Sequence, residues 1–169
     1  QDMNHMFASS FDPDCECLIG GMHFNHPIGD WTLSNTTDIH YMFEGNTAFN
    51  QPLSGWDVSH VEDMAGLFSG ASAFAQDISR WNTSNVQNMG DMFSGGEMMV
   101  PEGGESDTVP STFNPHIENW DVHNVGSFWN MFGNNSAFNR NISGWHTDSA
   151  EDMSLMFNSA TAFNQPIGA

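Results

Sequence analysis

The sequence predicts an α/β repeat solenoid, right-handed, in which each 25-residue coil supplies one short parallel strand and one short helix. Three observations predict it. Trp31, Trp56 and Trp81 are 25 residues apart, as are Trp120 and Trp145. Eleven and twelve residues after each Trp stand an apolar residue and a Phe: Met42-Phe43, Leu67-Phe68, Met92-Phe93, Met131-Phe132 and Met156-Phe157. A second Phe follows the Trp by 18 residues in four units, at Phe49, Phe74, Phe138 and Phe163. A unit of this length cannot bury its own apolar face, so neighbouring units must stack with their Trp, Met and Phe inside.

The register divides residues 1–169 into one domain of about six coils: 1–30, 31–55, 56–80, 81–119, 120–144 and 145–169. In each coil the first half reads as helix. Val61, Met64, Leu67 and Phe68 lie at i, i+3, i+6 and i+7, one face of a short helix. Ser59-x-x-Glu62 and Ser84-x-x-Gln87 match the capping box that satisfies free N–H groups at a helix start. Glu62-Asp63, Glu151-Asp152 and Asp38 then fall in the first helical turn, where negative charge complements the dipole. The second half, such as Phe49-Asn-Gln-Pro-Leu-Ser-Gly-Trp56, is too short and too marked by Gly and Pro for a helix and reads as strand plus turn. The column Asn25, Asn50, Asn114, Asn139 and Asn164 is expected to bond backbone groups of adjacent coils, with Ala75 as its interruption. The 25-residue period places the units in the length class of leucine-rich repeats.

Two coils carry insertions. The first coil is a damaged copy, in which Met3-Asn-His-Met-Phe7 and Phe24-Asn25 match the two halves and Ser9 to Met22 separates them. The 81–119 coil carries extra residues from about Gly95 to Thr112, where Met98-Met99-Val100 between acidic, Gly-rich flanks reads either as an adaptable contact patch or as a cover for a neighbouring coil. Gln1-Asp2 falls inside a unit and Ala169 one residue before the next Trp, so the register predicts a fragment of a longer array.

Units such as Trp56-Asp-Val-Ser-His-Val-Glu-Asp-Met-Ala-Gly-Leu-Phe68 and Ala48-Phe-Asn-Gln-Pro-Leu-Ser-Gly-Trp56 resemble the BspA-like repeats of mycoplasma-type surface lipoproteins, which also occur in marine protists. The resemblance covers nearly the whole chain apart from the insertions. It implies a leucine-rich-repeat-like solenoid, a surface or secreted location and, loosely, adhesion or protein binding. It supplies no catalytic residues. His123 and Gly126 at the capping positions, and Ala75 for Asn, depart from the pattern.

Charge narrows the partners. The chain has 21 acidic residues against two basic ones, a formal charge of −19. Nucleic acid, which needs a basic footprint, is excluded, and anionic lipid is disfavoured. No apolar run approaches the ~18 residues of a membrane span. With 12% aromatic residues the chain is nevertheless a folded one rather than an acidic tail.

Candidate sites concentrate in the first insertion. Cys15, Cys17, His23 and His26 form a set that zinc could take tetrahedrally, although C-x-C is tighter than the usual spacing, and a local disulfide or free thiols are open alternatives. Asp12, Asp14 and Glu16 are oxygen donors of the kind calcium takes, without the EF-hand pattern. Asn35, Asn82, Asn134 and Asn141 fit the N-glycosylation acceptor pattern. No nucleophile elbow, phosphate loop or H-E-x-x-H motif is present, and the eight His are scattered, so the expectation is not an enzyme. No cofactor is expected beyond the two candidate metals. The expected function is non-catalytic binding or adhesion, to a protein or a glycan, at the cell surface or outside it. An organelle lumen or virion setting is also physically acceptable. The alternative is a structural scaffold subunit or extracellular filament, assembling end to end or with other chains. A carbohydrate-active enzyme is the distant third.

Overall fold

A computed structural model describes residues 3–12, 17–20, 23–97 and 108–167, with side chains left aside at 9–12, 17–20, 97, 108 and 109. The chain winds into stacked coils, but the predicted α/β class is wrong. Among the described residues there is no helix, and the only strands are two antiparallel pairs in the insertions. Strand β1 (Ser9–Asp12) pairs with β2 (Cys17–Gly20), and β3 (Gly96–Glu97) with β4 (Thr108–Val109). The parallel strands expected in the coils shrink to single bridges between successive coils, Asp38 to Asp63, Asn88, Ser127 and Asp152.

Backbone sign explains the missing helix. Ten residues after each Trp the chain turns left-handed, at Tyr41 (φ 52), Gly66 (φ 59), Asp91 (φ 56), Asn130 (φ 52) and Leu155 (φ 59). Four residues later it does so again at Gly45, Gly70, Asn134 and Ser159. A right-handed helix cannot carry a left-handed residue every fourth position. The i, i+3, i+7 apolar spacing that reads as helix instead marks consecutive tight turns, each closing one three-residue bond: Met42 N–H to Ile39, Glu44 to Tyr41, Asn46 to Phe43. The intervening amides donate to the next coil: Ile39 to Asp63 O (3.1 Å), Tyr41 to Ala65 O (2.7 Å), Phe43 to Leu67 O (3.1 Å) and Gly45 to Ser69 O (2.8 Å). The same alternation recurs at each later step, for example Gly66 to Gly90 and Asn130 to Ser154. The backbone donors of residues 41–46 are thus satisfied without a helix or a sheet.

The expected helix caps have other duties. The Asp38, Asp63 and Asp152 carboxylates accept the amide two residues on, at 3.0, 2.9 and 2.8 Å, and so close turns rather than face a helix dipole. Ser59 donates its amide to Asp57, and Glu62 and Gln87 point outward.

The second half of each coil is extended and held by side chains. Asn25 Oδ1 takes the Asn50 amide (3.0 Å) and Gln51 Nε2 (2.9 Å), and Asn50 does the same for Ala75 and Gln76. Asn114 receives the Asn139 amide, and Asn139 receives Asn164 and Gln165. Each interior Trp ties its Nε1 to a carbonyl of the preceding coil, Trp56 to Ile28 and Trp81 to Leu53.

The core runs the length of the stack. Phe43, Phe68, Phe93, Phe132 and Phe157 form one nearly parallel column, with ring centroids 5.6–6.2 Å apart, and Phe43 and Phe49 pair within a coil at 4.1 Å. A left-handed residue other than Gly costs about 1–2 kcal/mol. The Met and Phe side chains that these turns direct inward stabilise by about 1.5–3 kcal/mol each, so burial outweighs the strain.

Gly70 combines a left-handed backbone with a close backbone approach. Its φ is +64, and an added Cβ would lie 2.9 Å from Gly96 Cα, at the foot of the second insertion. Gly70→Ala is therefore expected to destabilise the fold by about 1–3 kcal/mol, from strain together with overpacking. Chemical denaturation would read this; an unchanged midpoint would contradict it.

Candidate binding groove

Six residues after each Trp the backbone forms a continuous ladder along the stack. Glu62 N–H donates to Thr37 O (2.8 Å), Gln87 to Glu62 O (2.8 Å), Gly126 to Gln87 O (2.8 Å) and Glu151 to Gly126 O (2.7 Å). Two positions earlier in the coil, Asn85 Nδ2 bonds Ser59 O (2.6 Å) and Asn124 Nδ2 bonds Ser84 O (2.7 Å). These two rows, with Ser149, enclose an open groove of about 530 Å³. Its wall is carboxamide, hydroxyl and carboxylate, with Glu62 and Glu151 towards its two ends. Gly126 notches the row between Gln87 and Glu151. A Cβ there would meet only ordinary contacts, 3.7 Å from Gln87 O and 3.9 Å from Ser149 O, so packing does not demand the glycine. The groove can hold an extended polar ligand through side chains that project at coil spacing from a fixed backbone.

Beside this face, the left-handed column carries a titratable cluster. The Tyr41 ring stacks on His5 (centroids 5.2 Å) and covers Gly66, where an added Cβ would collide with it. His5 and His40 meet edge to face at 5.1 Å, and His40 Nδ1 lies 2.5 Å from Asp38 Oδ1. Burial raises the Tyr41 pKa, and Asp91, Glu44 and Asp63 raise it further. Burial and then Asp91 also raise Glu44. Asp57, Asp121 and Asp152 are lowered instead, because each accepts hydrogen bonds from the residue two positions on.

The expected site residues divide. Asp14, Cys15 and Glu16 lie outside the described residues, as do Gln1-Asp2, Ala169 and the Met98-Met99-Val100 patch. Register in the first hairpin sets Asp12 opposite Cys17, while His23 and His26 are exposed beyond it. Among the described residues no three His, Cys, Asp or Glu side chains come together as a metal could require. Asn35, Asn82 and Asn141 are exposed, and Asn134 is half-buried in a left-handed turn. No helix among the described residues is long and apolar enough to cross a membrane. Sequence reasoning missed the groove, because its signal, Glu62, Gln87, Gly126 and Glu151 in one repeat position, was absorbed into the expected helix caps.

Tyr41 is the chain's single tyrosine, so a spectrophotometric pH titration reads it alone. Its midpoint is expected above the ordinary value of about 10. Its proton is held more tightly in the folded state, so its contribution to stability is complete below pH 10 and is lost as pH rises through the folded midpoint. Asp91→Asn should lower the midpoint; no movement would contradict the geometry.

No curated protein and no solved structure matches the chain. A family model does match, over residues 1–104 and 106–169, with the description Mycoplasma protein of unknown function, DUF285. That match corrects the BspA-like resemblance of the Trp56 and Ala48 units, since the family it names is DUF285 alone. With the match spanning nearly all of its residues, the chain belongs to the DUF285 family of Mycoplasma proteins of unknown function.

Proposed function

We propose that the chain is a non-catalytic binding module, displayed at a cell surface or secreted, that holds a protein or glycan partner along the groove between Glu62 and Glu151. One observation carries this reading. A row of exposed polar side chains stands at coil spacing on a hydrogen-bonded backbone ladder, notched at a glycine that packing does not require. A backbone fixed in advance, with Asn85 and Asn124 already held by hydrogen bonds, loses little freedom on binding, which favours affinity. Carboxamides and carboxylates serve peptide groups and sugar hydroxyls alike as hydrogen-bond partners. The exposed acceptor motifs at Asn35, Asn82 and Asn141 are compatible with a secretory route. The formal charge of −19 further selects against polyanionic partners.

The test is a panel of purified extracellular proteins and an arrayed glycan set, probed with the intact chain. Gly126→Gln should leave the melting temperature nearly unchanged and weaken capture at least tenfold, as should Glu62→Gln combined with Glu151→Gln. A panel without any ligand, or a ligand indifferent to both changes, would overturn the groove reading.

A further inference from the structure

The Asn column fails at one step. At four steps an Asn Oδ1 accepts the backbone amide of the next coil. Ala75 has no such oxygen, and the Asn114 amide that follows it has no acceptor among the described residues. The partner Gln of this column is replaced there by Pro115. A cleft of about 420 Å³ opens at this step, with Ala75, Gln76, Asp77, Phe113, Asn114 and Glu118 in its lining. Phe113 is also turned. It meets Phe74 and Phe93 edge-on, at 68° and 60°, where the other rings of its column stack within 16° of parallel.

The charge here differs from the rest of the molecule. The chain has two cationic side chains outside its histidines; Arg140 bonds a residue of this cleft, and Arg80 follows the cleft residue Ser79 in the chain. Arg140 bonds Asn114 O through Nε and Nη2 (3.3 and 3.1 Å) and lies 3.9 Å from Glu118. Asp77 is held below the ordinary carboxylate range by the Ser79 hydroxyl and amide, then by Arg80 and His116. In a chain of charge −19, the two acids of this cleft are offset by Arg140 at Glu118 and by the charge of Arg80 acting on Asp77, which favours a neutral occupant over a basic one.

We propose that the cleft binds an N-acetylated sugar through its acetamido group. In the neighbouring coils the amide is met by the carboxamide of an Asn side chain. An acetamido group offers the same carbonyl oxygen to Asn114 N–H and places its methyl against Ala75 and Phe113. The ring hydroxyls then face Gln76, Asp77 and Glu118, groups able to accept and donate as sugar recognition requires. This site is separate from the groove and stands or falls without it.

The experiment is an amide-resolved NMR titration of the intact chain with millimolar N-acetylglucosamine, with glucose as the control lacking the acetamido group and a short oligolysine as the basic alternative. The expected result is a saturable shift of the Asn114 amide with N-acetylglucosamine, at least fivefold weaker with glucose. Ala75→Asn should restore the column, raise the melting temperature and abolish the shift. Equal shifts from both sugars, a response to oligolysine only, or binding unchanged in Ala75→Asn would each overturn the proposal. Should Ala75→Asn not fold, the comparison of the two sugars on the unaltered chain decides.

Discussion

The structure depends on how each half-coil divides its backbone amides. Every second N–H, from Ile39, Tyr41, Phe43 and Gly45, leaves its own coil for the next, while the amides between them close turns three residues back. That division goes with a reversal of backbone sign at two fixed positions in most coils, and at Asp91 alone in the 81–119 coil. With that reversal, the carbonyls of one coil stand at the height of the donors of its neighbour, and the interior rings are carried into columns. The Trp indoles and the Asn column then fasten the extended half to the same spacing. Individually these bonds are worth about 0.5–1.5 kcal/mol, so it is their repetition along the stack that gives the coils a common geometry.

How much of this was legible in the sequence varies residue by residue. The period, the Phe and Trp columns and the bonding role of Asn50 and Asn139 all follow from identity at fixed spacing, and the hydrogen bonds show that role directly. Backbone sign was not legible. Gly66 and Gly70 permit a left-handed turn, but Tyr41 and Leu155 hold the same conformation in their own coils and belong to residue types that disfavour it. A spacing of three and four residues between apolar positions therefore serves a run of turns as well as it serves a helix. The same confusion hid the groove. Ser59-x-x-Glu62 and Ser84-x-x-Gln87 satisfy a capping pattern, yet Glu62 and Gln87 are exposed on a ladder along the stack. The buried Asn46 and Asn135, which bond the amides of Phe49 and Phe138, occur in two coils and so left no column to notice.

Regularity also gives meaning to its exceptions. In a stack where each position repeats, a glycine with room for a side chain, or an alanine where an oxygen belongs, is a local departure that the fold itself does not demand. Gly126 and Ala75 are two such departures, and each lies at a concavity. The coils thus provide a constant backbone, and single substitutions within a column provide surface features, the division of labour expected where function sits on a scaffold rather than in it.

The central claim is that the half-coils are turns bonded to their neighbours and not helices. Scalar couplings across hydrogen bonds, measured by NMR on the isotopically labelled chain, test this directly. The structure predicts couplings from the amide of Tyr41 to the carbonyl of Ala65 and from Gly66 to Gly90, 24 residues away in each case. Couplings from residues 65–68 to carbonyls four positions earlier would contradict it.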